Sequence, residues 1–193
     1  MRKLLTCLVA LTVTAAANAG PINYQESVSG DLPTFGSPLP TFTFDVGTNT
    51  ISGTFGLNTN ADFDSFAFVV PAGMRLVSAK VTLADGPGVG DMSAAGWSLY
   101  SGSANAAGGS FLESVSPTSP GVYSFLSTPL GPQTYNIAAN FFSWGGPSPV
   151  SANYVFSFDV VATPEPVSLV VFGGLIVGGA GVALRRRMAK ASA

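Results

Sequence analysis

Four oxygen-bearing side chains at alternate positions, Asn58, Asn60, Asp62 and Asp64, form the best polar constellation in the central part of the chain. In extended backbone such residues project to one side, where amide and carboxylate oxygens can collect Ca2+. The set is not an EF-hand, because Phe63 stands where that loop needs glycine and Val69 where it needs its closing glutamate. Solvated loop polarity ahead of a strand is the competing reading. Asp62, Asp64, Asp85, Asp91 and Glu113 also raise glycoside hydrolysis, which needs two carboxylates across a cleft, but no spacing among them forces such a meeting. The chain contains no His, which excludes imidazole acid–base catalysis and His metal ligation. Lys80 falls on one strand face with Ser78 and Thr82, opposite Ala79 and Val81, and reads as solvating that face rather than activating a serine. Trp97, Tyr100, Tyr123, Tyr135 and Trp144 offer rings for stacking on sugars, although such rings also fill cores. Trp144, within Phe142-Ser143-Trp144-Gly145-Gly146-Pro147, is placed in a loop and is the candidate carbohydrate contact.

The elements that must position these residues are strands. Phe42, Phe44 and Val46 alternate with Thr43 and Asp45, and Gly47-Thr48-Asn49 is expected to turn the chain into a hairpin partner through Ile51 and Phe55. Phe66, Phe68 and Val70 make a third run; Val77, Ala79, Val81 and Leu83 are assigned to one face of a fourth. Later candidates are 97–100, 111–115, 122–126, 135–139 and 153–161, the last with Tyr154, Phe156, Phe158 and Val160 on a common face. Gly/Pro/Ser clusters separate the runs, and none has helical periodicity. The expectation is an all-β fold, a single β-sandwich or jelly-roll-like domain spanning 20–163 with eight or nine short strands. Its Pro-rich start (Pro33, Pro38, Pro40) is expected to drape along a sheet edge. The run 63–73 resembles the strand pair of bacterial pre-peptidase C-terminal domains.

Both chain ends read as addresses. Residues 1–19 have the three parts of a signal peptide: Arg2 and Lys3, an apolar stretch, and Ala17-Asn18-Ala19 before a cut between Ala19 and Gly20. Cys7, the single cysteine, leaves with that segment. At the other end, 167–184 is an uncharged run of 18 residues, read as a transmembrane helix and followed at once by Arg185, Arg186 and Arg187. These arginines anchor the cytoplasmic side in a basic tail, 185–190, and so place 20–163 outside the cytoplasm. Between the tags, two basic residues (Arg75, Lys80) face nine acidic ones, a net −7 within a chain whose total is −2. Such a body is a poor ligand for nucleic acid.

Pro164, Glu165 and Pro166 stand immediately before the apolar run. This order, Pro-Glu-Pro, Gly-rich span, Arg cluster, resembles the PEP-CTERM sorting signal of Gram-negative bacteria over 164–190. The resemblance implies an exosortase in the inner membrane that reads the tail and cuts near the motif. It implies delivery to the cell surface or extracellular matrix, alongside exopolysaccharide production. The expected partners are therefore signal peptidase, exosortase, the inner membrane transiently and exopolysaccharide, with no cofactor apart from the calcium alternative. The function expected is that of an exported structural protein and not an enzyme; the alternative is a carbohydrate-binding module or adhesin using loop aromatics.

Overall fold

In strand β11 (Val150–Ala162) period-2 alternation sends Tyr154, Phe156, Phe158 and Val160 to one face, where all are buried, as the sequence predicts. The computed structural model of the chain describes residues 20–33, 38–57, 61–62, 64–84, 92–102, 109–144 and 150–164. Preceding β11 in chain order are β1 (Asn23–Gln25), a four-residue turn of helix α1 (Glu26–Ser29), β2 (Thr41–Thr43), β3 (Gly47–Leu57), β4 (Ala61–Asp62) and β5 (Phe66–Val69). After them come β6 (Met74–Leu83), β7 (Met92–Ser101), β8 (Ser110–Val115), β9 (Gly121–Ser124) and β10 (Thr134–Trp144). Among the described residues no helix is long and apolar enough to cross a membrane. The expected span 167–184, the Arg185–Arg186–Arg187 cluster and the leader 1–19 lie outside those residues.

Two sheets carry these strands. The first has the order β1-β3-β11-β6-β9, with β4 paired to β3; the second has the order β2-β5-β10-β7-β8. Four of the antiparallel pairs are concentric: β7–β8 innermost, with β6–β9, then β5–β10, then β3–β11 outside it. Successive pairs alternate between the sheets. Aromatic side chains of the two sheets meet in one core: Phe66 of β5 lies edge-on to Phe156 of β11 at 5.3 Å, and Trp97 of β7 contacts Phe55 of β3 at 5.5 Å. Phe44, Phe68 and Phe158 add a second cluster with centroids 4.6 and 4.9 Å apart. Burial of such large rings is the main favourable term in holding the layers together.

Three local expectations are corrected. First, β2 and β3 do not form a hairpin: β2 joins the second sheet, parallel to β5, while 47–49 already belong to β3. The buried Asn49 amide explains the change, since it accepts from Asp45 N at 3.2 Å and donates to Asp45 O at 2.8 Å, bending the chain from one sheet to the other. Second, Leu76 rather than Val77 joins Ala79, Val81 and Leu83 in the core. A bulge opposite Asp159/Val160 pairs Ser78 with Asp159 but Leu76 with Val160, which reverses the parity. Third, β10 runs on through Trp144, whose backbone pairs with Met92, so Trp144 stands at a strand end and not in a loop. Bulges between Ala139/Phe141 and Ser143/Trp144 let the strand continue past the 135–139 run. The proline-rich start does follow an edge: Pro33 O and Pro40 O accept from Ser65 N and Ala67 N beside β5. Prolines suit that place because they lack an N–H to leave unpaired.

Both described ends emerge at one pole. Gly20 N donates to Asp45, next to Gly47, and Gly47 pairs with Val160; Thr163 N donates to Gly73 O. Trp144 and Val150 lie at the opposite pole, paired to Met92 and Leu57.

Candidate functional site

Where β1 gives way to α1, the first sheet would lose a pairing partner for the edge of β3. The Glu26 carboxylate takes over that role: Oε2 accepts from Thr54 N at 2.9 Å, while Oε1 accepts from Leu32 N at 3.1 Å and from the Tyr154 hydroxyl at 3.2 Å. Gly53 makes the room, since a Cβ there would meet both Glu26 Oε2 and the Tyr154 hydroxyl. A pocket of about 260 Å3 opens beside it, lined among others by Glu26, Ser52, Thr54, Asn153 and Tyr154.

Asp64 and Asp31 complete an acidic cluster with Glu26, with one carboxylate oxygen from each lying within 4.8 Å of the others. Asp64 is buried and Asp31 is exposed. Tyr154 is pushed far above the ordinary tyrosine range, first by burial and then by the negative charge of Asp64 and of Glu26, to which its hydroxyl donates. Tyr24 is raised for the same reasons, with burial again first, and its hydroxyl donates to Gly30 O at 2.5 Å. Ca2+ takes about six to eight oxygen ligands, and three carboxylates are the right type to begin such a set. Glu26 already serves as the acceptor for three donors, so its first task is to fasten 26–32 to β3.

Of the alternating set named from sequence, Asp64 enters this cluster; Asp62 lies in β4, where its backbone pairs with Gly56; Asn58 and Asn60 lie outside the described residues. Glu26, Asp31 and Tyr154 were not singled out as a group, and no local spacing announces them, since Tyr154 and Glu26 are 128 residues apart. Among the carboxylates weighed for hydrolysis, Asp85 and Asp91 lie outside the described residues. Glu113 sits on β8, at the far edge from β5, and accepts from Ser127 N and the Ser127 hydroxyl. Asp64, just before β5, does not face it across a cleft. Lys80 is exposed between buried Ala79 and Val81, with Ser124 and Ser157 beside it in register. Trp97 and Tyr135 are buried in the core.

At the two positions where processing is expected from the sequence, Gly20 and Pro164 are described and Ala19, Glu165 and Pro166 are not. Pro164 is exposed and follows Thr163, the last of the described residues to be tied to the body by a backbone hydrogen bond.

No family model matches the chain, and no curated protein matches it. Among solved structures, the chain is similar to PliG of Aeromonas hydrophila, a periplasmic lysozyme inhibitor of g-type lysozyme, with a TM-score of 0.36 and 9% identity over 64% of this chain and 97% of that one. A likeness of that degree assigns nothing to this chain.

Proposed function

We propose that the chain is an exported structural protein of the cell surface or extracellular matrix, sorted by a PEP-CTERM signal at 164–190. Signal peptidase removes 1–19; the run 167–184 holds the precursor in the inner membrane as a helix; an exosortase acts at Pro164, Glu165 and Pro166. The observation that carries this reading is the order of features at the C-terminus, Pro-Glu-Pro, uncharged Gly-rich run, Arg cluster, in a chain that opens with a signal-peptide pattern. Two prolines fix φ and withhold two N–H groups, which keeps the motif extended and available to a reader. An exposed Pro164 directly after Thr163, whose N–H is tied to Gly73 O, agrees with that role.

The body itself is read as a jelly roll, on the concentric antiparallel pairing about β7–β8. Its short or irregular edges suit a protein that must stay soluble when concentrated outside the cell: β1 and β2 have three residues, β9 has four, and β8 carries a bulge at its pairing with Leu99/Tyr100. Replacing Pro164, Glu165 and Pro166 by Ala in the native host tests the sorting claim. The expected result is a heavier, membrane-retained precursor, read by intact mass and fractionation. The same chain termini and the same location in mutant and wild type, once the mass of the substitutions themselves is allowed for, would refute it.

A further inference from the structure

Asp45 is a buried carboxylate that lies outside the acidic cluster, at the pole where both described ends emerge. Its Oδ1 accepts from Val46 N at 2.7 Å and its Oδ2 from Gly20 N at 2.9 Å, so its hydrogen-bond partners are backbone N–H groups. The nitrogen of Gly20 is held there by its neighbours. Ile22 N donates to the buried Asn49 Oδ1 at 3.0 Å, and Thr50 N donates to Ile22 O at 2.8 Å. The Pro21 ring fits against Gly47, where a Cβ would come within 2.8 Å of Pro21 Cγ and where φ is +116°.

From this placement we propose that Asp45 is the receptor for the amino terminus created when the leader is removed. The inference rests on the cut between Ala19 and Gly20 proposed above. Hydrolysis of that amide consumes one water and leaves a carboxylate on Ala19 and an amine, protonated at neutral pH, on Gly20. Before the cut, Gly20 offers Asp45 one neutral N–H; afterwards it offers a positive charge and three donors at the same position. Charge-assisted hydrogen bonds are shorter and stronger than neutral ones. The carboxylate is buried in either case, so the new partner compensates a desolvation already incurred. Processing thereby fastens β1 to the edge of β3, and the mature body is the more tightly closed form. Among the described residues, the other charged side chains at this pole are Asp159 on β11, whose Oδ1 accepts from Thr48 Oγ1, and exposed Arg75 on β6. Both are common to every protein compared below.

The test expresses the full chain with its own leader in an exporting host and reads the start of the recovered protein by intact mass. Competitive acetylation with acetic anhydride, from about pH 6 to pH 10, then gives the α-amine pKa, with Lys80 as internal reference. An ordinary α-amine titrates at about 7.7–8.0, and a rise of about one unit slows labelling at neutral pH roughly tenfold. The expected result is a chain starting at Gly20 with a raised α-amine pKa when folded and an ordinary one in urea; folded Asp45→Asn protein has the ordinary value. A Gly20 start with the same pKa folded and unfolded overturns the pairing and leaves the export reading standing. So does a raised pKa that persists in folded Asp45→Asn protein. If that variant does not fold, the folded-versus-urea comparison of the wild type decides alone. A chain starting elsewhere overturns both the pairing and the assigned cut.

Discussion

Replacing Gly53 by Ala asks whether the Glu26 clasp is what the missing Cβ exists to admit. The added atom would sit 1.8 Å from Glu26 Oε2 and 2.5 Å from the Tyr154 hydroxyl, so the carboxylate must leave. It would abandon Thr54 N, Leu32 N and the Tyr154 hydroxyl. Hydrogen bonds to an ionised group contribute about 1.5–3 kcal/mol when shielded and less when exposed, as the Thr54 bond is. Against this, two like charges within 4.8 Å push back, by about 1 kcal/mol for exposed Asp31 and by more for buried Asp64, where water screens less. The clasp therefore nets about 2 kcal/mol. Glycine in a strand interior itself costs roughly 0.5–1 kcal/mol relative to alanine, which works in favour of the substitution. Gly53→Ala should still destabilise by about 2 kcal/mol once the residual Tyr154 contact is included. In a Glu26→Ala background the same substitution should cost about 2 kcal/mol less, because the carboxylate is gone while the Tyr154 contact is common to both arms and cancels. Urea unfolding of the four proteins, followed by tryptophan fluorescence, measures the coupling. Additivity to within about 0.5 kcal/mol would refute the clasp.

Two further outcomes follow from buried polar groups. Tyr154 keeps its proton in the folded protein well past the pH at which an unfolded tyrosine loses it, near 10.0. The folded state then binds more protons than the unfolded one, so the Tyr154 contribution is complete below pH 10 and is lost as pH rises above it, at up to about 1.4 kcal/mol per pH unit. Tyr154→Phe should flatten that slope in urea titrations above pH 10; an unchanged slope would count against it. Asn49→Ala should destabilise by about 3 kcal/mol, since it strips the buried Asp45 N and O of their side-chain partner and frees Ile22 N. An m-value-corrected loss under about 1 kcal/mol would show that water replaces the amide.

What was legible in the sequence was whatever depends on uninterrupted alternation. β11 shows it best: no bulge interrupts its pairing with β3, and the core side of the strand is correct from Tyr154 to Val160. The same rule fails one strand away at Val77, because an extra residue in the ladder leaves no mark in composition while reversing every face before it. Phe42, Phe44 and Val46 look like a strand next to its hairpin mate. The decisive fact is a pair of hydrogen bonds from the Asn49 side chain that redirect the backbone, and an Asn before a β-branched run reads equally well as a turn. The acidic cluster was half visible. Asp64 was singled out as one of four alternating residues, but its described companions come from 26–31, and only the closed fold brings those segments together.

The shared pole of the two described ends also decides how the body would carry a load. A pull between Gly20 and Thr163 would act on β1 and β11 at the same end of the first sheet. Hydrogen bonds loaded in that way open one after another, like a zipper; strands drawn from opposite ends would resist together in shear. A body tethered by this pole therefore hangs as a pendant from its attachment, and a row of such bodies is mechanically suited to coating a surface rather than to transmitting tension along a fibre.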